Sequence, residues 1–377
     1  MATGQSLDTH TSDEKDPRIN RFFKAAIKTQ ASDIHLKVGQ TAKLRLQGTL
    51  KSTTGEPFEA QDLEAMVLEI LSPDQKQRFK EHGTVDFAHA YNEENRFRVN
   101  VFRQRGFVSL AARRVSSTVP SFEDLHLPPI LKQVSESTEG LVLVVGPTGS
   151  GKTTTIAAML DYIAGTKSCH IVTIEDPIEY LYRDRKAIVS QREVGLDVAN
   201  FDEALTYLMR QDPDVVLVGE MRDARTVTAG MRAAETGHMV FGTMHATNAS
   251  QAVHRLLDLF PQTERDLIRQ ALSVAIKAVV SQILVPSIQE GVDRVPALEI
   301  MLANPSVKKL INDGRENELD HVIRTCQREG MQDLTDNLVR MIGDGIIDPK
   351  EAYKWAPNVE ELKMALKGIR AVSDGAM

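Results

Sequence analysis

The run GPTGSGKT, Gly146 to Thr153, matches G-x-x-x-x-G-K-[ST] at every fixed position and follows the apolar run LVLVV, Leu141–Val145. A strand, a tight glycine loop and a helix start aim backbone N–H groups at phosphate oxygens. Gly146, Pro147, Thr148, Gly149, Ser150 and Gly151 supply the loop, and Thr154 continues the helix start. Lys152 is expected to reach the β- and γ-phosphates of a nucleoside triphosphate, and Thr153 to place its hydroxyl on Mg²⁺. The bland alternative is a glycine turn before a helix that binds nothing.

Polar groups leave other apolar runs in the same way. DPDVVLVGEMRD runs out into Glu220, whose carboxylate can hold or orient water near Mg²⁺ and the γ-phosphate. HIVTIEDPIEY ends in Glu175 and Asp176, with Pro177 breaking the ladder; these groups position water or cap a turn. TGHMVFGTMHATNAS carries His238 before its apolar run and His245 after it. An imidazole can donate to phosphate or to a carboxylate, so His245 is a candidate sensor of the γ-phosphate; either histidine could instead be a packing or capping group. No zinc spacing accompanies them.

Arg96, Arg98, Arg103, Arg105, Arg113 and Arg114 crowd one stretch. Strand alternation is expected to put Arg96 with Arg98 on one face, and Arg103 with Arg105. An arginine from another subunit could neutralise charge on a transferred phosphoryl group; a solvated surface cation is the competing reading. Arg222 and Arg225 are weaker candidates for the same interface.

These groups need elements to hold them. Residues 1–17 read as a flexible tail. Residues 18–115 read as a small α+β domain: helical spacing of Ile19, Phe22, Phe23, Ala26 and Ile27, alternating strands, and an amphipathic helix from Ala60 to Leu71. Ser116–Pro129 has turn chemistry and reads as a linker. Residues 130–304 alternate strands with helices, the rhythm of a largely parallel sheet whose active groups gather beyond the strand carboxyl ends. Residues 305–377 read as helices punctuated by glycine.

Composition bounds the rest. A chain of 377 residues with 42% hydrophobic and 26% charged residues has the balance of an ordinary globular protein. The formal net charge of −7 disfavours general nucleic-acid binding. Two cysteines, Cys169 and Cys326, exclude a four-cysteine zinc element. The apolar runs fall short of a membrane span, and the polar start is unlike a signal peptide, which fits the cytoplasm.

GPTGSGKTTT, IVTIEDPIEY, LMRQDPDVVLVGEMRD and TGHMVFGTMHATNA resemble the Walker A, Asp-box, Walker B and His-box regions of type IV pilus retraction ATPases, the PilT/PilU group of secretion ATPases. The likeness runs from about Ile19 to Leu366 and includes ASDIHLKVG and RFRVNVFRQRG. It implies an α/β fold: a RecA-like P-loop ATPase domain preceded by a PAS-like α+β domain, with a helical C-terminal region. It implies ATP and Mg²⁺ at Lys152 and Thr153, Glu220 as catalytic carboxylate and metal neighbour, Glu175 and His245 assisting, and Arg98 and Arg113 as contacts across an interface. It further implies a homo-hexameric ring acting on an inner-membrane platform protein from the cytoplasmic base of the pilus machine. The missing cysteines favour the retraction branch. PSVKKLIND and REGMQDLTDNLVRMIGDGIID look more like the PilU type, an accessory to a second retraction ATPase. A nucleic-acid translocase and a nucleotide-sensing regulatory ring are the alternatives; DNA-stimulated turnover would favour the first, binding without turnover the second.

Overall fold

Phe23 and Ala26 stand at helical spacing, and with Ile19 just before them they are buried; they form the inner face of α1 (Asn20–Thr29). The computed structural model describes residues 16–46, 48–92 and 95–369, so all but the last two positions of the expected 1–17 tail lie outside the described residues. The chain divides into two units, one up to Ser117 and one from Thr118.

In the first unit α1 is followed by β1 (Asp33–Lys37), β2 (Lys43–Leu46), β3 (Thr49–Ser52), α2 (Ala60–Glu69), α3 (Pro73–His82), β4 (Thr84–Asn92), β5 (Asn95–Gln104) and β6 (Phe107–Arg114). The strands form a sheet in the order β3-β2-β1-β6-β5-β4 with antiparallel neighbours. Its inner face buries Ile34, Leu36, Phe97, Val99, Val101 and Leu110 with the apolar sides of α1 and α2. Sequence periodicity misses α3, which buries only Phe79; a capping box between Ser72 and Gln75, with Pro73 in the first turn, starts it instead. The expected placement of Arg103 and Arg105 on one strand face does not occur. Arg105 leaves β5 and sits with Gly106 in a two-residue turn at φ of 52° and 84°, so it shares no strand face with Arg103.

The second unit runs α4 (Ile130–Ser135), β7 (Gly140–Val145), α5 (Lys152–Thr166), β8 (His170–Glu175), β9 (Ile188–Glu193), α6 (Phe201–Leu208), β10 (Val215–Val218), α7 (Ala224–Glu235), β11 (Met239–Met244), α8 (Ala249–Asp258), α9 (Arg265–Ala275), β12 (Ile276–Pro286) and β13 (Arg294–Leu302). Then come α10 (Pro305–Asn312), α11 (Leu319–Thr325), α12 (Leu334–Gly343), α13 (Pro349–Trp355) and α14 (Val359–Leu366). The sheet order is β13-β12-β7-β11-β10-β8-β9, parallel throughout except where β13 pairs antiparallel with β12. β7 is buried at every position because one hydrophobic cluster packs on each face of the sheet. Each such Val or Leu contributes roughly 1.5–3 kcal/mol. Within the expected linker, Phe122 and Leu127 are buried in one of these clusters beside Leu131 and Ile156, so that part is packed rather than free-running.

Candidate active site

β7, β11, β10 and β8 are adjacent and parallel, so their carboxyl ends open at one edge of the sheet. From β7 the chain enters the loop at Gly146 (φ 152°). A Cβ there would lie 2.3 Å from the Gln282 carbonyl oxygen and 2.6 Å from Ser150 Oγ, so no larger residue fits. Gly149 and Gly151 take left-handed backbone at φ of 77° and 85°, and α5 begins at the next residue, Lys152. The Lys152 ammonium donates to the Gly146 and Pro147 carbonyls at 2.9 and 3.0 Å. Burial lowers its pKa, opposed by the charges of Glu220 and Glu179. Thr154 shares a 3.0 Å hydrogen bond with the Tyr180 hydroxyl.

A cavity of about 330 Å³ lies over the loop, lined by Thr148, Gly149, Lys152, Thr153, Glu175 and Glu220, with Arg222 and His245 also on its wall. Glu220 follows the Gly219 bend after β10. Gly219 passes so close to β8 that an added Cβ would sit 3.0 Å from the Ile174 carbonyl. One Glu220 oxygen accepts from Arg222 Nη2 at 2.5 Å, and the other stands 3.4 Å from His245 Nε2. The hydrogen bond from Arg222 holds the Glu220 pKa below the usual carboxylate value against a smaller effect of burial. Glu220 is thus an ionised acceptor beside the loop lysine.

Glu175 differs. It is 4% exposed, and one oxygen accepts from the Thr173 hydroxyl at 2.6 Å and from Gln191 Nε2 at 3.1 Å. Burial outweighs these hydrogen bonds and pushes its pKa up to about 7. Because the folded state holds this proton more tightly than the unfolded chain, the contribution of Glu175 to stability is greatest below the ordinary value of 4.5 and is lost as pH rises through about 7. The full difference is on the order of 3 kcal/mol. Glu175→Gln is therefore expected to raise the melting temperature at pH 8 and to change it much less at pH 5. A variant less stable than wild type at pH 8 would contradict a Glu175 whose ionised form is destabilised by burial.

Lys152, Thr153, Glu175, Glu220 and His245 come together, as do the loop residues around them. Asp176 and Arg222 line the same cavity, whereas His238 and Arg225 do not. His238 precedes β11 at the far end of that strand and bonds Thr236 and the Ala233 carbonyl, the packing role weighed for it above. Arg98 and Arg113 belong to the first unit, opposite one another on β5 and β6. Arg113 donates to Asp33 at 2.8 Å, and Arg103 pairs with Glu64. Arg225 pairs with Asp202 at 2.7 Å.

Motif spacing misses Gln282 of β12. Its side chain is 2% exposed, donates to the Ser150 carbonyl at 2.6 Å and accepts from the Thr155 hydroxyl at 2.7 Å. It ties the loop to the first turn of α5. No local pattern marks it, since its partners lie more than a hundred residues away. Gln282→Leu strands a buried carbonyl and hydroxyl and is expected to cost about 1–3 kcal/mol of stability while weakening binding of an ATP analogue. Unchanged melting and unchanged affinity would refute that clamp.

The donors suit a magnesium nucleotide. The Thr153 hydroxyl makes no hydrogen bond with the described residues, and the adjoining acceptors are hard carboxylate oxygens. Among the described residues no group of three or more His, Cys, Asp or Glu could cage a metal alone. Mg²⁺ commonly takes few protein ligands and completes its shell with water and substrate phosphate.

A family profile described as "Type II/IV secretion system protein" matches residues 9–336. The chain belongs to this family, among its pilus retraction ATPases. It is 40% identical over 338 residues to the type IV pilus retractation ATPase PilT of Pseudomonas aeruginosa, covering 90% of this chain and 98% of that protein. With PilU, the type IV pilus ATPase of the same organism, identity is 34% over 347 residues, 92% of this chain and 91% of the other. The crystal structure of the pilus retraction motor PilT with bound ADP aligns at a TM-score of 0.84 and 41% identity, covering 92% of this chain and 99% of that one. Like its relatives, this secretion ATPase is a P-loop ATP hydrolase with a RecA-like core. Whole-chain identity to PilT exceeds that to PilU.

Proposed function

We propose that this ATPase is a motor for type IV pilus retraction and twitching motility, assembled as a homo-hexamer and fuelled by ATP with Mg²⁺. One observation carries the reading. Lys152, Glu175, Glu220 and His245 line a single cavity in a chain that matches PilT over 90% of its length. In this mechanism the loop N–H groups and Lys152 hold the β- and γ-phosphates. Glu220, ionised, accepts the proton of the attacking water. His245, within reach of Glu220, reports the terminal phosphate. Glu175 holds a proton near neutral pH and orients groups beside the γ-phosphate. Thr153 and Glu220 would hold Mg²⁺, which when bound polarises the phosphate oxygens. Arg98 and Arg113 neutralise charge from a neighbouring domain or subunit, so that turnover depends on assembly.

In the same reading the first unit is PAS-like, the divisions at 18–115, 130–304 and 305–377 are the working domains, and 116–129 connects the first two. The ring acts on an inner-membrane platform protein from the cytoplasmic side, at the pilus base, and the PilU-like C-terminal motifs make it a partner of a second retraction ATPase. Among the described residues no helix is long and apolar enough to cross a membrane. The test is removal of the gene, with pilus retraction measured directly. Loss of retraction, restored by the wild-type gene and not by Lys152→Ala, is expected. Normal retraction in the deletion strain would overturn the assignment as an essential motor.

A further inference from the structure

A second cavity, about 590 Å³, lies in the P-loop unit between the sheet and the C-terminal helices, with Pro147 and His245 on one side. Its volume suits a small organic molecule. Ile323, Leu334 and Trp355 give it an apolar wall, and Trp355 is 41% exposed. Its charge is unbalanced. Glu299 of β13 accepts the Ala249 N–H at 2.7 Å through one oxygen, and no donor among the described residues reaches the other. The Asp320 carboxylate on α11 has no side-chain or backbone donor among the described residues and feels the charge of Arg324. The third carboxylate, Asp333, is used in capping α12. The two guanidiniums on the wall are engaged elsewhere: Arg255 donates to the His245 carbonyl at 2.6 Å, and Arg324 pairs with Glu361 at 2.7 Å and with Asp333 at 3.7 Å.

We propose that this cavity binds a small organic ammonium compound, its cationic head between Glu299 and Asp320 and its apolar body against Leu334 and Trp355. An anion would meet carboxylates without a free guanidinium. A bare metal ion would leave the apolar wall unused, and no caging set of ligands is present among the described residues. An ammonium group supplies the donors that Glu299 and Asp320 lack, and an aromatic body can lie on the indole.

Burial pushes the Glu299 pKa up to about 7, with Asp320 and Asp333 adding to the effect and the Ala249 N–H and Arg324 opposing it; His245 also faces the cavity. Burial raises the Asp320 pKa as well, opposed by the charge of Arg324. An ammonium ion pairs with the ionised carboxylate. Its affinity therefore increases as pH rises from about 6 to 8, while a simple amine stays protonated.

Trp355 is the one tryptophan in the sequence, so its emission reports occupancy directly. The experiment titrates the full chain with phenethylamine and, in parallel, with the neutral phenethyl alcohol. Saturable change with the amine, at least roughly tenfold tighter than the alcohol and stronger at pH 8 than at pH 6, is expected. Glu299→Gln combined with Asp320→Asn should weaken the amine by a similar factor and leave the alcohol unchanged. No saturation, equal affinity for alcohol and amine, or no strengthening with pH would overturn the site. The amine–alcohol comparison uses unaltered protein, so it decides the matter even if the double variant does not fold.

Discussion

Glu220→Gln is expected to keep ATP bound and to lower turnover by about 10² to 10⁴-fold, the range for loss of a positioned general base. The substitution preserves shape. It removes the negative charge that Arg222 holds at 2.5 Å and that His245 faces at 3.4 Å. With less negative charge near Lys152, nucleotide affinity should hold or rise, because Glu220 no longer repels the phosphates. Phosphate release and retained nucleotide, measured on the same preparation, separate the two effects. Near-normal turnover would remove Glu220 from its role. Loss of binding together with turnover would recast it as a structural group of the loop.

For Lys152→Ala the expected loss is of binding and turnover together. The ammonium is the one cation of the loop itself, and it also bridges the Gly146 and Pro147 carbonyls. Removing one such preorganised donor from a phosphate site typically costs about 10² to 10³ in rate. The fold should persist, because the buried strand β7 and the Gln282 clamp do not depend on the lysine. Titration with a fluorescent ATP analogue, with melting as the control, checks this. A variant that melts normally and still binds and hydrolyses ATP would show that the nucleotide sits elsewhere.

Some of this site was legible because its signals are local. Eight contiguous residues carry the loop, and an apolar run with a polar end places each carboxylate or histidine at a strand terminus. The glycines could be read because left-handed backbone and close approach belong to a single residue. Other parts were hidden for equally physical reasons. The apolar pattern of α9 runs into that of β12 at Ala275–Ile276 without a breaker, so no local signal marks where β12, and with it Gln282, begins. The polar helix α3 has no apolar period and rests on its cap. Arg105 looked like a strand residue until the turn with Gly106 took it out of alternation.

Residue types and spacing along the chain were enough to name a triphosphate loop and the carboxylates near it, since caps, turns and periodicity act within a few residues. They could not say which carboxylate is ionised. Glu220 and Glu175 are the same side chain at neighbouring strand ends. Yet one is held low by Arg222 and the other is raised to about 7 by burial. That difference arises from desolvation and from charges that only folding brings alongside, so it belongs to the tertiary structure alone.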